Sequence, residues 1–311
     1  MGPEMRDKVL AELRKVVIEK DREARLLLTA LLAGGHVLLE GVPGVSKTLL
    51  TKSFAKCMEL DFGRVQFTPD MLPLDIVGGF IFNMKDRQLE FRKGPAFTNI
   101  LLADEINRAP PKVQIALLEA MQEGQVTIEG RTEALPSPNM VIATQNPVEF
   151  QGVYPLPEGQ LDRFMLKVTM TYPTVETESD VIRRNISGAD FPGIVGVVSR
   201  AELAEAFRGV RSVKVSDEML DYLARLAAET RTDPRVLLGA SPRAIIQLAS
   251  CSKASAYLAG RDYIVPDDVK DLAVDSLSHR VKLKQSATVT GEATSTSALI
   301  SEIIEKVKPP R

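Results

Sequence analysis

The chain of 311 residues has no tryptophan, two cysteines and two histidines, and only 5% of its residues are aromatic. So few rings leave no stacking platform for single-stranded nucleic acid, whose binders set successive bases on aromatic side chains. Cys57 and Cys251 stand far apart with no CxxC or Cys/His spacing, which argues against a disulfide framework and a zinc site; both read as small buried apolar residues. His36 and His279, at a strand entry and a helix end, read as structural. An excess of one charge is missing too: the formal net charge is −2, so nucleic acid would need a local basic patch, and no nucleic-acid partner is expected. No apolar run approaches the roughly 18 residues that cross a bilayer. Met1 to Arg14 is charged throughout rather than signal-like, so no membrane partner and a cytoplasmic location are expected.

What is present is a length suited to about two domains, each able to bury a core. The first half alternates short apolar runs with helical patterns, the mark of a sheet covered by helices. Candidate strands are Val37 to Glu40, Val65 to Phe67, Ile100 to Asp104, Val141 to Thr144 and Met165 to Thr169, enough for a doubly wound α/β core. Phe80 to Arg92 and Gln125 to Leu135 interrupt the alternation as β-hairpin insertions. A loop-rich connector, Pro173 to Val198, leads to a purely helical second half. Ser216 caps a helix with Met219, Leu220, Leu223, Leu226 and Ala227 on one face, while Ser241-Pro242 and Pro266-Asp267-Asp268 open two more. A Ser/Thr-rich link from Ser286 to Ser297 precedes a terminal helix whose Leu299, Ile300, Ile303, Ile304 and Val307 form a stripe expected to dock on its own chain. The expected division is 1–190, 191–285 and 286–311.

The chemistry concentrates where strands end. The first strand runs into Gly41-Val42-Pro43-Gly44-Val45-Ser46-Lys47-Thr48, with Leu49 in the helix that follows, the strand–loop–helix context of a phosphate loop. Gly41 and Gly44 permit the tight turn that aims backbone N–H groups at phosphate oxygens, and the helix adds its positive dipole end. Lys47 suits β- and γ-phosphate charge and Thr48 suits Mg²⁺. Ser46 stands where the usual pattern has glycine, and is expected to take helical angles. Ile100 to Glu105 is a buried strand ending in paired carboxylates, costly unless a cation shares them. Asp104 is the candidate for the Mg²⁺ shell and Glu105 for orienting or deprotonating an attacking water. Val141 to Thr144 leads to Asn146, which can hold a water by donor and acceptor, and Pro147 stops the strand. Arg163 follows a short helix opened by Pro157. Arg243 falls in the first turn after Ser241-Pro242, where a cation opposes the helix dipole and is better explained by an outside anion.

These residues resemble the AAA+ superfamily and, more closely, its MoxR-type branch. The likeness rests on Gly41 to Thr48, Phe67-Thr68-Pro69-Asp70, Ala103 to Ala109, Ala143-Thr144-Gln145-Asn146-Pro147, Tyr154 to Glu158, Leu161-Asp162-Arg163-Phe164 and Gly239 to Arg243, in that family's order across residues 16 to 281. The resemblance implies a five-stranded parallel P-loop αβα sandwich with an all-helical lid, ATP and Mg²⁺ as cofactors, and hydrolysis of ATP. It implies a homo-oligomer, usually a hexameric ring, in which Arg163 reaches a neighbour's γ-phosphate while Asn146 and Arg243 act as sensors in cis. It further implies a protein client, often in metal-cofactor insertion or complex maturation, and a von Willebrand A domain partner. The chain departs from the family at Ser46 and at Val17-Ile18-Glu19-Lys20, where a Val-Gly-Gln segment is commoner. Rival readings are a metal-chelatase motor subunit, a DNA-translocating motor and a non-enzymatic nucleotide-gated adaptor. The mixed charges Glu129, Arg131 and Glu133 on the second hairpin disfavour phosphate tracking.

Overall fold

A computed structural model of the chain describes residues 1–42, 44–85, 87–146, 152–186, 193–285 and 295–310. Pro43, Pro147 and most of the Ser/Thr-rich link lie outside the described residues. Along the chain come α1 (Gly2–Leu13), α2 (Asp21–Leu32), β1 (Val37–Gly41), α3 (Lys47–Cys57), β2 (Phe62–Gln66), α4 (Pro73–Val77) and the hairpin β3 (Gly78–Asn83) and β4 (Gln88–Lys93). Next are β5 (Ile100–Asp104), α5 (Pro111–Glu123), the hairpin β6 (Gln125–Ile128) and β7 (Arg131–Ala134), β8 (Met140–Gln145), α6 (Glu158–Leu161) and β9 (Leu166–Met170). The central sheet has five strands in the order β2-β5-β8-β1-β9, all parallel.

The strands alternate their side chains between two apolar layers. Val37, Leu39, Ile100, Leu102, Met140 and Ile142 pack with α1, α2 and α3, while Leu38, Leu101, Ala103, Val141 and Ala143 pack with α4 and α5. A strand buried on both faces reads as a continuous apolar run, which is why β1, β5 and β8 are plain in the sequence. β2 is different. It is an edge strand in which only Val65 is fully buried, so it begins at Phe62 rather than at Val65, and Phe67 is buried beyond its end.

The second half contains α7 (Val175–Ile186), α8 (Arg200–Ser212), α9 (Asp217–Thr232), β10 (Val236–Leu238), α10 (Pro242–Leu258), α11 (Pro266–Leu277), β11 (Lys282–Leu283) and a carboxy-terminal helix, Thr296–Lys306. Two expectations are corrected here. The connector carries α7, and the helical half is stitched by a small antiparallel pair, β10 with β11, too short to show a periodicity of its own. Ser216 and Ser241 cap as expected, accepting from the N–H groups of Met219 and Ala244. Leu220, however, points to solvent while Met219, Leu223, Leu226 and Ala227 are buried.

The terminal helix docks on its own chain. Leu299, Ile300 and Ile303 are buried against α9 and α11, and Glu302 pairs with Arg235 at 2.7 Å. The apolar layer on this side of the sheet runs without a break into the helical half through α2, α10 and α11. Both cysteines are buried and free, their thiols pushed up to about 12 chiefly by burial. Replacing Leu299 by Ala is expected to cost about 2–5 kcal/mol, as for other fully buried leucines, read from denaturant midpoints. A change near zero would show that the helix is not part of the fold.

The two histidines are structural, as expected. His36 Nδ1 accepts the Val141 N–H at 2.9 Å and Nε2 meets Met121 O at 3.0 Å, which fixes a neutral ring; burial lowers its pKa from 6.5 to about 4. His279 donates Nε2–H to Phe164 O at 2.9 Å, and burial, then the charge of Arg280, lowers it from 6.5 to about 3. Below 6.5 the unfolded chain takes up two protons that the folded chain refuses until far lower pH, so acid removes stability. Urea midpoints should therefore fall between pH 7 and pH 4, with a slope of up to about 1.4 kcal/mol per pH unit for each histidine. A flat profile would contradict their neutral burial.

Candidate functional site

The loop after β1 is shaped by its glycines. A Cβ on Gly41 would come within 2.7 Å of Met170 O, whereas at Gly44, with φ of 86°, the same position opens onto free space. Val45 is buried beneath the loop, and Lys47 Nζ donates to Gly41 O at 2.6 Å, so the lysine folds back over the turn. Thr48 and Leu49 lie half-buried in the first turn of α3, and Val42 is half-buried at the loop entry. The first N–H groups of a helix have no intrahelical acceptor and stay available to an anion.

Ser46 departs from expectation. It is the N-cap of α3 with φ 63° and ψ 23°, a left-handed conformation, and its side chain makes no capping hydrogen bond. Its hydroxyl therefore does nothing to offset a strain of about 1–2 kcal/mol for an L-residue. The loop needs the geometry that glycine supplies and forces serine into it.

Strand order brings the paired carboxylates to the same end of the sheet. β8 lies between β1 and β5, so Asp104 and the loop stand two strand spacings apart, about 10 Å. Thr144 of β8 ties the acids down: its hydroxyl donates to Asp104 Oδ1 at 2.6 Å and accepts the Glu105 N–H at 2.8 Å. Glu105 adopts φ 59° and ψ 52°, a left-handed turn that ends the strand. Asn146 follows β8 at the same edge and is buried. Lys47, Thr48, Asp104, Glu105 and Asn146 thus share one end of the sheet.

Three neighbours went unread in the sequence. Arg64 Nη2 pairs with Asp104 Oδ2 at 2.8 Å, Gln66 Nε2 donates to Glu105 Oε2 at 2.8 Å, and Arg108 Nε lies 3.1 Å from the same oxygen. The available signal was the Arg64-Val65-Gln66 alternation, which puts both polar side chains on one face of the strand beside β5.

The two arginines are elsewhere. Arg163 lies between α6 and β9, at the amino end of that strand; Met165 N–H donates to His36 O, just before β1. Five strand residues separate this level from the loop, about 16 Å. Arg163 Nε is buried without a hydrogen-bond partner. Arg243, in the first turn of α10, has Nη1 3.9 Å from Asp162 Oδ2, so the anion answering its charge comes from its own chain. The structure does not bring Arg163 or Arg243 to the loop of the same chain.

A parallel sheet with a phosphate-type loop, paired acids two strands away and a helical second half defines an AAA+ ATPase core with its lid. Residues 36–166 match the family described as ATPase family associated with various cellular activities (AAA), and residues 228–303 match the AAA lid domain. The chain is 40% identical to Chaperone MoxR1 of Mycobacterium tuberculosis over 98% of its own length and 82% of that protein's. It is 45% identical to the uncharacterized protein YeaC of Bacillus subtilis, covering 97% of this chain and 94% of the relative. A solved structure of a protein provisionally named an ATPase, from Cytophaga hutchinsonii, superposes with a TM-score of 0.90 at 43% identity, covering 100% of this chain and 97% of its own. The chain belongs to the MoxR family of AAA+ ATPases.

Replacing Ser46 by Gly should raise unfolding free energy by about 1 kcal/mol, because glycine takes the left-handed angles without strain. Denaturant midpoints of the two proteins check this, and a loss of stability on that change would contradict the strain.

Proposed function

We propose that the protein hydrolyses ATP to ADP and phosphate with Mg²⁺ at an interface between copies of itself, and uses the change to remodel a partner protein. The observation that carries this reading is the separation of parts: cradle and acids at one end of the sheet, Arg163 with an unspent Nε at the other. An arginine that cannot serve its own chain's loop can serve the next copy's. Such head-to-tail contacts close into rings, and a hexamer is the assembly the family suggests.

The residues suit the cofactors. Thr48 hydroxyl and Asp104 carboxylate are hard oxygen donors, as Mg²⁺ prefers, and among the described residues no cluster of His, Cys, Asp and Glu could cage a metal alone. That fits an ion held largely by phosphate and water. Bound there, Mg²⁺ would neutralise phosphate charge and favour its transfer. The loop from Gly41 to Thr48 would cradle the phosphates through backbone N–H groups while Lys47 leaves Gly41 O for them. Glu105, held by Gln66 and Arg108, would orient water and take its proton, and Asn146 would align it. Arg163 would stabilise charge developing on the neighbour's nucleotide.

The client reading rests on the first hairpin, where Phe82 is 60%, Met84 85% and Leu89 58% exposed, an apolar tip suited to an apolar protein segment. A DNA track is disfavoured, because Arg131, the one cation of the second hairpin, lies over the Phe80 ring at 5.1 Å. A metal-chelatase-like role, cofactor insertion and a von Willebrand A domain partner are family-level possibilities of the same motor. The units proposed are 1–190, 191–285 and 286–311, the helix Thr296–Lys306 of the third packing on the second. A cytoplasmic setting is part of the same reading; among the described residues no helix is long and apolar enough to cross a membrane.

Phosphate release should fall about 100-fold or more in Glu105→Gln, the usual loss with a general base, while ATP binding persists. Equal rates in the two proteins would remove the enzyme from the proposal.

A further inference from the structure

Asp162 precedes Arg163 and is the meeting point of three lid side chains. Its carboxylate accepts from Ser241 Oγ at 3.0 and 3.2 Å, lies 3.9 Å from Arg243 Nη1 and 3.5 Å from Arg280 Nε. The Arg280 side chain is only 1% exposed, so Asp162 is the charge that makes its burial tolerable. Its guanidinium also donates to Asp162 O at 3.3 Å and, over a shorter contact, to Phe164 O. The lid thus holds the chain on both sides of Arg163, by side chain before it and by backbone after it. Meanwhile the Arg163 Nε has no hydrogen-bond partner.

We infer that Asp162 is a positioning residue: through Ser241, Arg243 and Arg280 it fixes the Arg163 backbone to the lid, so that the guanidinium moves as the lid moves. This rests on the proposal that Arg163 serves the nucleotide of a neighbouring copy. A lid rotation in one copy then displaces the arginine offered to the next without any separate relay. Arg163 supplies the charge, and Asp162 decides where that charge stands.

The test uses full-length chains in mixed assemblies. A donor carrying Glu105→Gln keeps Arg163 but cannot turn over its own site; an acceptor carrying Arg163→Ala keeps a whole cradle but lacks the arginine. Mixing them should restore ATPase activity. Adding Asp162→Asn to the donor is expected to reduce that restored activity about tenfold to hundredfold, the cost of misplacing a catalytic group, and adding it to the acceptor should change it less than about twofold. A purely structural role for Asp162 would weaken both arms alike and overturn the inference. No restoration by the unmodified pair would instead remove the underlying reading of Arg163.

A second measurement needs no nucleotide. Hydrogen exchange of the amides from Asp162 to Phe164 should rise about tenfold in Asp162→Asn while that of β1 stays constant. Unchanged exchange at that segment would also overturn the inference. Should Asp162→Asn fail to fold because Arg280 loses its counter-ion, Asp162→Asn/Arg280→Gln removes both charges and is read the same way, with the same expected outcomes.

Discussion

The hydroxyl of Thr144 is the small interaction on which the end of the sheet that carries the loop and the acids depends. By donating to Asp104 and accepting from the Glu105 N–H, it ties the Asp104 carboxylate and the Glu105 backbone to the central strand of the sheet. It can do so only because β8 runs between β1 and β5, in a register that pairs Ala103 with Ala143. The same placement sets the gap between cradle and acids at about two strand spacings. A different strand order would leave the same motifs in the sequence and no site in space.

The resting partners of the acids follow from the same geometry. Two carboxylates held side by side attract whatever cation or donor is nearest, and the edge strand supplies Arg64 and Gln66 while the following turn supplies Arg108. These contacts are half-exposed, so each is worth little on its own. Their consequence is orientation rather than strength: both acids are preformed, and a phosphate-bound cation has only to displace weak surface pairs. At the other end the reverse holds. Arg280 is buried, with its pKa lowered to about 10 by burial and held up by Asp162, and such a pair cannot be broken cheaply. The molecule is therefore loose where ligands are expected to arrive and tight where lid and core are joined.

Much of this was legible in the residues. Strands buried on both faces announce themselves as apolar runs, and β5 was read to the residue; helices opened by Ser216 and Ser241 were read from their caps. The edge strand β2 and the β10–β11 pair were misread or missed because half-exposed or very short elements carry no strong period, whereas α7 is a full 12-residue amphipathic helix hidden by the polar, Pro-started connector around it. At the site, residue types gave the loop, the acids and Asn146. They could not give the distance of Arg243 from the loop, since that depends on how the lid packs through Asp162 and Arg280, pairs far apart in sequence. Nor could they give the backbone angle of Ser46, which is imposed by the loop and not by serine.

The two departures from the family pattern turn out to be physically unlike. Glu19 and Ser46 both sit at positive φ, 55° and 63°, Ser46 where the usual pattern has glycine and Glu19 within the segment where Val-Gly-Gln is commoner. Glu19 is compensated: Thr174 donates to it through hydroxyl at 2.9 Å and backbone N–H at 3.2 Å, and hydrogen bonds from Thr177 and Thr174 hold its carboxyl below the usual range. The next residue, Lys20, is buried and spends its ammonium on Thr171 O at 3.0 Å and on Glu23 at 3.3 Å. The Glu19 side chain has there become part of the joint between the segment before α2 and the end of β9. Ser46 has gained no such contact. Strain left uncompensated in a phosphate-type loop, where every backbone N–H is needed at a set angle, is strain that a bound anion can oppose by holding the turn together. Of the two substitutions, the one at Ser46 is thus the one whose cost should depend on nucleotide, and the one at Glu19 belongs to the fold.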